Sequence, residues 1–385
     1  MTNVLFVPGF VCDTWSPIEN YTLELCKLVN SNVNVTWLVP TINNRFNIYK
    51  RPNIKDTLQQ PLYVTKLKKE NFDILEVDLH KFNIFHNYLI LKKIIQSKNI
   101  DTVYVQFGYE RYMIPIISKV LGCKVIYHEH GYPPNLKYPL LRHHFYNNFV
   151  DSFLTISNFV AKELPSYKPI EVVHNSIDTL DESQIISYKE QSKELRNNIL
   201  NGNSGKIVVM VAAFRDMKRH DLALEVISNV VSKYTGNIKF VLLGSGSLYD
   251  KYKHETIERG LEHCVLMPGH VDNVTSYLAA ADISMLTSLA EPFGVSLIES
   301  MNMMLPTMSF ASGSAQEIII DGHDGVLIEL ANTEQYSDKM LQILNSESLC
   351  KNLGKNAYHS TIKNFAHEKW KKDIKISFLK LVQEL

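Results

Sequence analysis

The chain has 385 residues, of which 45% are hydrophobic and 21% charged, and its formal net charge is zero. This length is long for one domain and suits two, and the composition is that of a globular protein without wholesale disorder. The neutral balance excludes a chain-wide electrostatic preference for nucleic acid, and no apolar run reaches the ~18 residues that a membrane helix needs.

The start of the chain predicts a strand rather than a signal peptide. Residues 1–7 lack a basic leader and are followed at once by Pro8-Gly9. The five cysteines are scattered, odd in number and without metal-type spacing. We therefore expect a reduced, cytoplasmic protein.

Short apolar runs alternate with amphipathic stretches in both halves, which predicts βαβ units with parallel sheets. In the first half we predict strands at 4–7, 33–39, 73–77, 102–107, 124–128, 152–156 and 170–173, and helices at 82–96 and 111–121. Residues 181–205 are polar and end in Asn201-Gly202-Asn203-Ser204-Gly205, which predicts a linker. In the second half we predict strands at 206–212, 239–243, 264–266, 282–286, 307–310 and 326–328.

The last segment predicts a long amphipathic helix with lysines on its polar face. Its apolar positions recur at helical spacing and are Trp370, Ile374, Phe378, Leu381 and Leu385. The whole pattern predicts an α/β protein of two doubly wound, Rossmann-like domains that face each other. In such sheets ligands bind beyond the carboxyl ends of the strands.

Glu291 and Glu299 flank a Pro-Phe-Gly turn and the start of an apolar helix pattern. The strand predicted at 282–286 delivers Glu291 to a loop, and the first amides of the next helix point back toward that loop. Free amides bind anions, and carboxylates accept hydrogen bonds from hydroxyl groups. A sugar nucleotide offers a diphosphate and hydroxyl-rich rings, so this stretch predicts a sugar-transferring site. The alternative is a solvated loop residue followed by an exposed helix residue.

Basic residues and glycines follow other predicted strands of the second half. Arg215, Lys218 and Arg219 come after the strand at 206–212, where fixed positive charge suits a departing diphosphate. A solvated loop is the alternative for this cluster. Three glycine turns follow further strands, and they allow close approach to a ligand or simply reverse the chain; they contain Gly244 and Gly246, Gly269, and Gly313.

In the first half, Gly9 follows the first strand, and His128 and His130 follow a later one. The two histidines lie at period two and could face one way as metal ligands, but nothing nearby completes a metal site. We predict contact with a sugar hydroxyl or a proton-shuttling role for His130, and a structural role for His128.

Residues 45–69 carry a local excess of positive charge. This region is a candidate for contact with an anionic acceptor or with lipid headgroups, and otherwise it is a solvated loop. The basic residues are Arg45, Lys50, Arg51, Lys55, Lys66, Lys68 and Lys69. We expect no nucleic-acid partner, because aromatic and basic residues do not interleave as they do in known nucleic-acid-binding modules.

The second half resembles the retaining, nucleotide-sugar-dependent glycosyltransferases of the GT-B fold, in the glycogen-synthase and mannosyltransferase-like group (family four). Glu291-Pro292-Phe293-Gly294 through Glu299 matches that family's pair of glutamates with seven residues between them. The glycine turns at Leu243–Gly246 and Pro268–Val271 are similar to its turns, as are Asp321-Gly322 and Gly325. The first half resembles the family less, mainly at 156–159 and 173–178.

The resemblance implies that Glu291 contacts the donor sugar and Glu299 the ribose hydroxyls, while Lys218 binds the phosphates. The family's arginine falls on Ala213 here, and Arg215 is the candidate to replace it. Other implied contacts are the amides of Phe293, Gly294 and Val295 to the diphosphate, Gly269 to Val271 near the base, the turn at Gly244, and Gly9 and His130 toward the transferred sugar.

The resemblance further implies a metal-independent hexosyltransferase (EC 2.4) without a cofactor, acting in polysaccharide biosynthesis. The donor would be a UDP- or GDP-sugar and the acceptor a glycan or lipid-linked molecule. We expect an acceptor-side domain at 1–180, a linker at 181–205, a nucleotide-sugar domain at 206–360, and a helix at 361–385 that crosses back to the first domain. Alternatives are a GT-B epimerase or phosphorylase, and a non-catalytic protein with a degenerate site.

Overall fold

The computed structural model describes residues 1–7, 17–40, 62–80, 83–106, 110–131, 139–165 and 167–383. Two compact units are present: unit 1 comprises Met1–Val173 and Trp370–Leu385, and unit 2 comprises His174–Lys369. Gly9, Arg45, Lys50, Arg51, Lys55 and Leu385 lie outside the described residues.

Unit 1 is built on a parallel sheet whose described strands follow the order β3-β2-β1-β4-β5-β6-β7. The strands are β1 (Asn3–Val7), β2 (Asn34–Pro40), β3 (Asp73–Val77), β4 (Thr102–Val105), β5 (Lys124–Glu129), β6 (Ser152–Thr155) and β7 (Ile170–Val172). The helices are α1 (Pro17–Val29), α2 (Leu62–Lys69), α3 (Ile84–Ser97), α4 (Glu110–Val120), α5 (Pro139–Phe149) and α6 (Asn158–Ala161).

The two faces of this sheet carry separate cores because strand side chains alternate between faces. Leu5 and Val7 lie in a core that α3, α4 and α5 cover. Val4 and Phe6 lie in the core on the opposite face, with residues of α1 and α2. We call these the α3 side and the α2 side of the sheet.

Unit 2 repeats the architecture with a parallel sheet whose described strands follow the order β10-β9-β8-β11-β12-β13. The strands are β8 (Lys206–Val211), β9 (Ile238–Leu243), β10 (Val265–Gly269), β11 (Ile283–Leu286), β12 (Thr307–Phe310) and β13 (Val326–Ile328). The helices are α7 (Glu182–Gln191), α8 (Lys193–Ile199), α9 (His220–Lys233), α10 (Tyr249–Glu258), α11 (Val274–Ala280), α12 (Val295–Asn302), α13 (Ala315–Ile318), α14 (Thr333–Leu344) and α15 (Glu347–Phe365). The last helix, α16 (His367–Gln383), belongs to unit 1 from Trp370 onward.

Residues 181–205, which we predicted as a linker, contain α7 and α8 and lie within unit 2. Asp181 and Gln184 make a capping box, in which each side chain accepts a hydrogen bond from the other residue's backbone amide. Ile185, Ile199 and Leu200 are buried in the core of unit 2. Few apolar residues occur in this stretch, so the sequence pattern shows little of the packing that stabilises both helices.

The final helix follows its predicted pattern. Trp370, Ile374, Phe378 and Leu381 of α16 are buried on the α2 side of the unit 1 sheet. Phe378 packs against Phe6 with ring centroids 5.6 Å apart. This contact places the end of the chain in the core of the first unit.

Within the described residues, none of the helices combines the length and the hydropathy that crossing a membrane requires.

Candidate functional site

The order of strands in unit 2 brings the residues after β8 and β11 together. Strand β8 lies in the middle of the sheet, with β9 on one side of it and β11 on the other. The chain adds β9 and β10 on the first side and then β11 to β13 on the second, so the direction of winding reverses between β8 and β11. Ligands of doubly wound sheets bind at such a switch point, beyond the carboxyl ends of the strands. Lys218 follows β8 and Glu291 follows β11.

Lys218 and Glu291 form an ion pair at this position, although they lie 73 positions apart in the chain. The Lys218 ammonium group donates to Glu291 Oε2, and the two side chains are 18% and 7% exposed. A buried pair of this kind balances two charges that would each be costly alone. The structure therefore joins two of the predicted site residues directly.

Backbone contacts hold the loops that carry this pair. Thr287, at the end of β11, donates through its hydroxyl group to the carbonyl oxygens of Lys218 (3.1 Å) and Arg219 (3.0 Å). Ser314 donates from its amide (2.9 Å) and its hydroxyl group (3.0 Å) to the Glu291 carbonyl oxygen. Neither residue was predicted as part of the site, and the only signal for either in the sequence is that each follows a core strand.

Gly313 is required beneath Glu291. Its φ of +55° lies in the left-handed region, and a Cβ atom there would stand 2.2 Å from the Glu291 carbonyl oxygen. Gly294 has φ +84° and begins α12, so it turns the chain from Glu291 into the helix. The glycine turn at 312–314 thus supports the Glu291 loop by close backbone packing.

Gly244 and Gly246 are required by close backbone packing, whether or not a ligand binds nearby. A Cβ atom on Gly244 would lie 2.1 Å from the Ala212 carbonyl oxygen, and one on Gly246 would lie 2.4 Å from that of Phe214. Gly269 ends β10 with φ +84°, and its carbonyl oxygen accepts a 2.9 Å hydrogen bond from the Gly244 amide. These glycines join the loops after β8, β9 and β10.

Glu299 lies on α12, eight residues after Glu291, and the surroundings of its carboxylate differ from those of the Glu291 carboxylate. Burial raises the pKa of Glu299 to about 6. Among the described residues no cation pairs with this carboxylate, whereas Glu291 has Lys218. Of the two glutamates of the motif, Glu291 is therefore paired with a cation, and Glu299 is desolvated without one.

Arg215 and Arg219 both lie on the loop after β8 but differ in exposure and in ion pairing. Arg219 has φ +49° and pairs with Asp221 at 2.7 Å. Arg215 is exposed, and no carboxylate of the described residues pairs with it. Arg215 is thus a cation close in sequence to Lys218 that is available to bind a ligand. A residue that takes the place of the family arginine must have this property.

The amides of Phe293, Gly294 and Val295 lie where the Glu291 loop enters α12. The Phe293 side chain is buried and packs near His174 and Phe365, with ring centroids 5.7 and 6.0 Å away. Val271 is half-buried and packs against the core that contains β8 and β9. The side chains of Phe293 and Val271 thus serve packing, and their backbone roles stay predictions.

In unit 1, His130 follows β5 and is buried, with its ring 3.7 Å from that of His128. Burial lowers the pKa of His130 to about 3, so the ring is neutral at physiological pH. As the period-two spacing predicted, the two rings lie on one side of the chain. Gly9, the other predicted site residue of this unit, lies outside the described residues.

A buried chain of hydrogen bonds supports His128. Gln106 donates from Nε2 to Thr22 Oγ1 (2.6 Å) and to the Tyr104 hydroxyl oxygen (3.0 Å). The Tyr104 hydroxyl group shares a short hydrogen bond with His128 Nδ1. The Tyr104 hydroxyl group thus joins Gln106 to His128 within this buried network. His128 thus has the structural role that we predicted.

Glu129, between the two histidines, is a buried carboxylate that was not among the predicted site residues. Its Oε2 accepts a 2.7 Å hydrogen bond from the Tyr146 hydroxyl group, and its Oε1 accepts one from the Gly131 amide at 3.2 Å. Alternation along β5 sends Glu129 to the face opposite the histidines. In the described part of the chain, no group of three or more histidine, cysteine or acidic side chains is arranged to hold a metal ion.

Two family models match the chain. The model described as "Glycosyl transferases group 1" matches residues 191–360, and that of "Glycosyltransferase Family 4" matches residues 18–180. The first match contains the Lys218–Glu291 pair and Glu299, and the second contains His130. Each half of the chain thus matches a family model of glycosyltransferases.

Curated relatives agree with these matches. The uncharacterized glycosyltransferase MJ1178 of Methanocaldococcus jannaschii is 25% identical over 81% of this chain and 91% of its own length. The N-acetyl-alpha-D-glucosaminyl L-malate synthase of Bacillus anthracis is 29% identical over 52% of this chain, which spans about half (51%) of that enzyme. An undecaprenol-linked-glycan alpha-1,4-N-acetyl-D-galactosaminyltransferase of Campylobacter jejuni is 26% identical over 85% of this chain and 86% of its own length.

A solved structure shares the fold over the full length. Anabaena Alr3699/HepE in complex with UDP superposes with a TM-score of 0.74 at 16% identity and covers 100% of both chains. At this identity the likeness establishes the fold. With the family matches and the relatives, it shows that the chain belongs to the GT-B, family 4-like, nucleotide-sugar-dependent glycosyltransferases (EC 2.4).

Proposed function

We propose that this enzyme is a retaining, metal-independent transferase that moves a sugar from a UDP- or GDP-sugar to a glycan or a lipid-linked acceptor. The observation that carries the proposal is the Lys218–Glu291 pair, which lies where the Glu291 loop enters α12, with exposed Arg215 on the same loop as Lys218. This cluster offers cations and helix amides to a diphosphate, and carboxylates to sugar hydroxyls.

The chemistry follows from what each group offers. Lys218, Arg215 and the amides of Phe293, Gly294 and Val295 stabilise the charge that develops on the diphosphate as the sugar leaves, so fixed protein charge takes the part of a metal. Glu291, released from Lys218 by the donor, accepts hydrogen bonds from the sugar. The acceptor hydroxyl attacks from the face that the diphosphate leaves, so the anomeric configuration is retained.

Glu299 and His130 complete the proposed contacts. Glu299 accepts from the ribose hydroxyls in its ionised form, and the base lies near Gly269 to Val271. His130 contacts the transferred sugar as a neutral ring, because burial lowers its pKa to about 3. Gly9 allows the backbone to approach the same sugar.

UDP is the first nucleotide to test. The Anabaena protein of the same fold was crystallised with UDP and with UDP-glucose. The acceptor is more open, because the Bacillus relative is named for L-malate and the Campylobacter relative for an undecaprenol-linked glycan. We propose a glycan or lipid-linked acceptor, in polysaccharide biosynthesis.

We place the enzyme in the cytoplasm. Cys26, Cys123, Cys264 and Cys350 are free thiols, as a reducing compartment favours. Peripheral membrane contact through residues 45–69 is part of the proposal. Of the lysines there that the structure describes, Lys68 pairs with Glu76 at 3.1 Å on the protein itself.

Donor binding is tested by thermal unfolding with UDP, GDP and ADP. A ligand at one hundred times its dissociation constant stabilises the native state by about 2.7 kcal/mol. We expect one nucleotide to raise the melting temperature, and less so in Glu299→Ala. No shift with any nucleotide would contradict a nucleotide-sugar donor.

Transfer is tested by following nucleotide release with and without an acceptor glycan. We expect acceptor-dependent release that Glu291→Ala abolishes, that EDTA leaves unchanged, and whose product keeps the donor's anomeric configuration by NMR. Glu258→Gln, an exposed carboxylate on α10, is the matched control. Nucleotide release or sugar conversion without acceptor would instead indicate an epimerase or a phosphorylase.

A further inference from the structure

A side chain from the start of unit 2 contacts the supports of the Glu291 loop (residues 287–294) at two places. His174, the first residue of this unit, shares a 2.9 Å hydrogen bond between its Nε2 and Oε2 of Glu317 on α13. Its ring centroid also lies 5.7 Å from that of Phe293, two residues after Glu291. One histidine thus contacts both the loop and the helix that follows the 312–314 turn.

Helix α13 bears directly on the position of Glu291. Ser314, whose amide and hydroxyl group hold the Glu291 carbonyl oxygen, immediately precedes this helix. The Ser314 carbonyl oxygen in turn accepts a 2.8 Å hydrogen bond from the Glu317 amide. Glu317 is therefore joined by its backbone to the residue that holds Glu291, and by its side chain to His174.

The segment 174–180 is itself fastened to other helices of unit 2. Ile177 donates from its amide to the Phe365 carbonyl oxygen (3.0 Å), and its own carbonyl oxygen accepts from the His367 amide (3.1 Å). Asn302, at the end of α12, makes two further hydrogen bonds of 3.2 Å to the backbone of this segment. The segment is thus held by contacts that do not involve the Glu291 loop, so it provides a fixed point for that loop.

Packing alone does not require a histidine and a glutamate at this place. The side chains of His174 and Glu317 are 31% and 16% exposed, so neither is a core residue. A hydrogen bond to a carboxylate gives the imidazole ring a fixed direction, which an apolar side chain of the same size would lack. The Phe293 ring packs against this oriented ring and, with centroids 6.0 Å apart, against Phe365.

We propose that His174 is a positioning residue for the transfer reaction. Through Glu317 it fixes α13 behind Glu291, and through its ring it fixes Phe293, so that the Glu291 carboxylate and the Phe293 amide meet the donor. It acts through these residues and does not touch the reacting atoms. The inference rests on the proposed function, which gives Glu291 and Phe293 their tasks.

Steady-state kinetics of the full-length enzyme test the effect on transfer. His174→Ala should lower kcat about 100-fold, as a displacement of about 1 Å in a catalytic group does. The KM for the donor should stay within about twofold, since the alignment is needed chiefly in the transition state. His174→Gln keeps a nitrogen donor near the place of Nε2 and should recover most of the rate. His174→Phe keeps only a ring and should behave as His174→Ala does.

A double-mutant cycle tests the contact with Glu317. Glu317→Ala and His174→Ala/Glu317→Ala should have the same kcat as His174→Ala, because all three lack the same hydrogen bond. Lys233→Ala/Asp338→Ala is the matched control. This exposed ion pair joins α9 to α14 at 2.9 Å, and its loss should leave kcat unchanged. Losses that multiply in the double variant would contradict the proposed coupling.

Hydrogen exchange followed by mass spectrometry gives a readout that needs no substrate. His174→Ala should speed amide exchange in residues 287–296 about fivefold, which corresponds to one lost hydrogen bond, and leave exchange in β8 unchanged. Unchanged exchange in the loop, or an unchanged kcat, would assign His174 to the fold alone and overturn the proposal. If the wild type transferred no sugar, the proposed function would fail, and the exchange rates would still decide whether His174 holds the loop.

Discussion

The Lys218 ammonium group and the Glu291 carboxylate neutralise each other at the switch point of the unit 2 sheet, with only 18% and 7% of the two side chains exposed. A diphosphate that binds Lys218 must draw it from this pair. Glu291 is then free to accept hydrogen bonds from the donor sugar. Under the proposed function, the pair would thus couple recognition of the phosphates to recognition of the sugar.

The first prediction concerns the cost of breaking this pair. Lys218→Met should lower the free energy of unfolding by about 3 kcal/mol at pH 8, because it leaves a buried carboxylate uncompensated. Urea unfolding of the variant and of the wild type at pH 8 measures this cost.

The double variant Lys218→Met/Glu291→Gln is the control for this experiment, since it removes both charges. It should recover most of the lost stability but none of the transfer activity. Equal destabilisation in the single and double variants would show that the ion pair itself contributes nothing.

The second prediction concerns Glu299, whose pKa burial raises to about 6. A raised carboxyl pKa favours folding below the unfolded-state pKa, near 4.5, and this contribution is lost as the pH rises through 6. Glu299→Gln should therefore stabilise the unliganded protein at pH 8 by about 2 kcal/mol and leave its stability at pH 4 unchanged. The same variant should bind nucleotide more weakly, by isothermal titration calorimetry. Stabilisation without weaker binding would remove Glu299 from the proposed site.

The third prediction concerns the support beneath Glu291. Gly313→Ala adds a Cβ atom 2.2 Å from the Glu291 carbonyl oxygen at a residue with φ +55°. It should lower both the melting temperature and the transfer rate, because the Glu291 loop must move. Gly260→Ala is the matched control: Gly260 has φ +68° but open space around a Cβ atom. That control should cost only about 1 kcal/mol and leave the rate unchanged. Similar effects of the two substitutions would mean that the close contact has no consequence for the site.

The fourth prediction concerns the histidines after β5. Burial lowers the pKa of His130 to about 3, so His130 contributes stability above the unfolded-state pKa near 6.5 and loses it as the pH falls. At pH 5 this loss amounts to about 2 kcal/mol. His130→Asn should therefore lose less stability than the wild type between pH 8 and pH 5, by guanidinium unfolding. An identical pH dependence in the two proteins would contradict the buried neutral ring.

The fifth prediction concerns the support of that ring. Tyr104→Phe removes the hydroxyl group that shares a hydrogen bond with His128 Nδ1 and leaves that buried nitrogen unsatisfied, at a cost of about 1–3 kcal/mol. If His128 positions His130 through their 3.7 Å ring contact, kcat should fall while the KM for the donor stays constant. A loss of stability with unchanged kcat would assign Tyr104 to the fold alone.

The sequence by itself determined the two-sheet architecture and the family. Each described strand overlaps a short apolar run that the pattern predicted, because strands buried on both faces of a parallel sheet leave a nearly continuous hydrophobic signal. The two glutamates, Lys218 and the glycine turns were visible as residues at strand ends. The spacing of Trp370, Ile374 and Phe378 predicted the final helix, because one buried helix face leaves apolar residues at every third or fourth position.

Only the tertiary structure decided which of these residues meet and what surrounds them. The ion pair joins residues 73 positions apart, and it depends on β8 and β11 being neighbours, which no local pattern encodes. Helices α7 and α8 escaped prediction because their stability comes from a few buried side chains rather than from periodicity. Gly313 and Glu299 look like an ordinary turn residue and an ordinary helix residue in the sequence. The Glu291 carbonyl oxygen approaches Gly313, and Glu299 loses contact with water, only after the chain has packed. Both effects depend on distance and burial, which the sequence does not show.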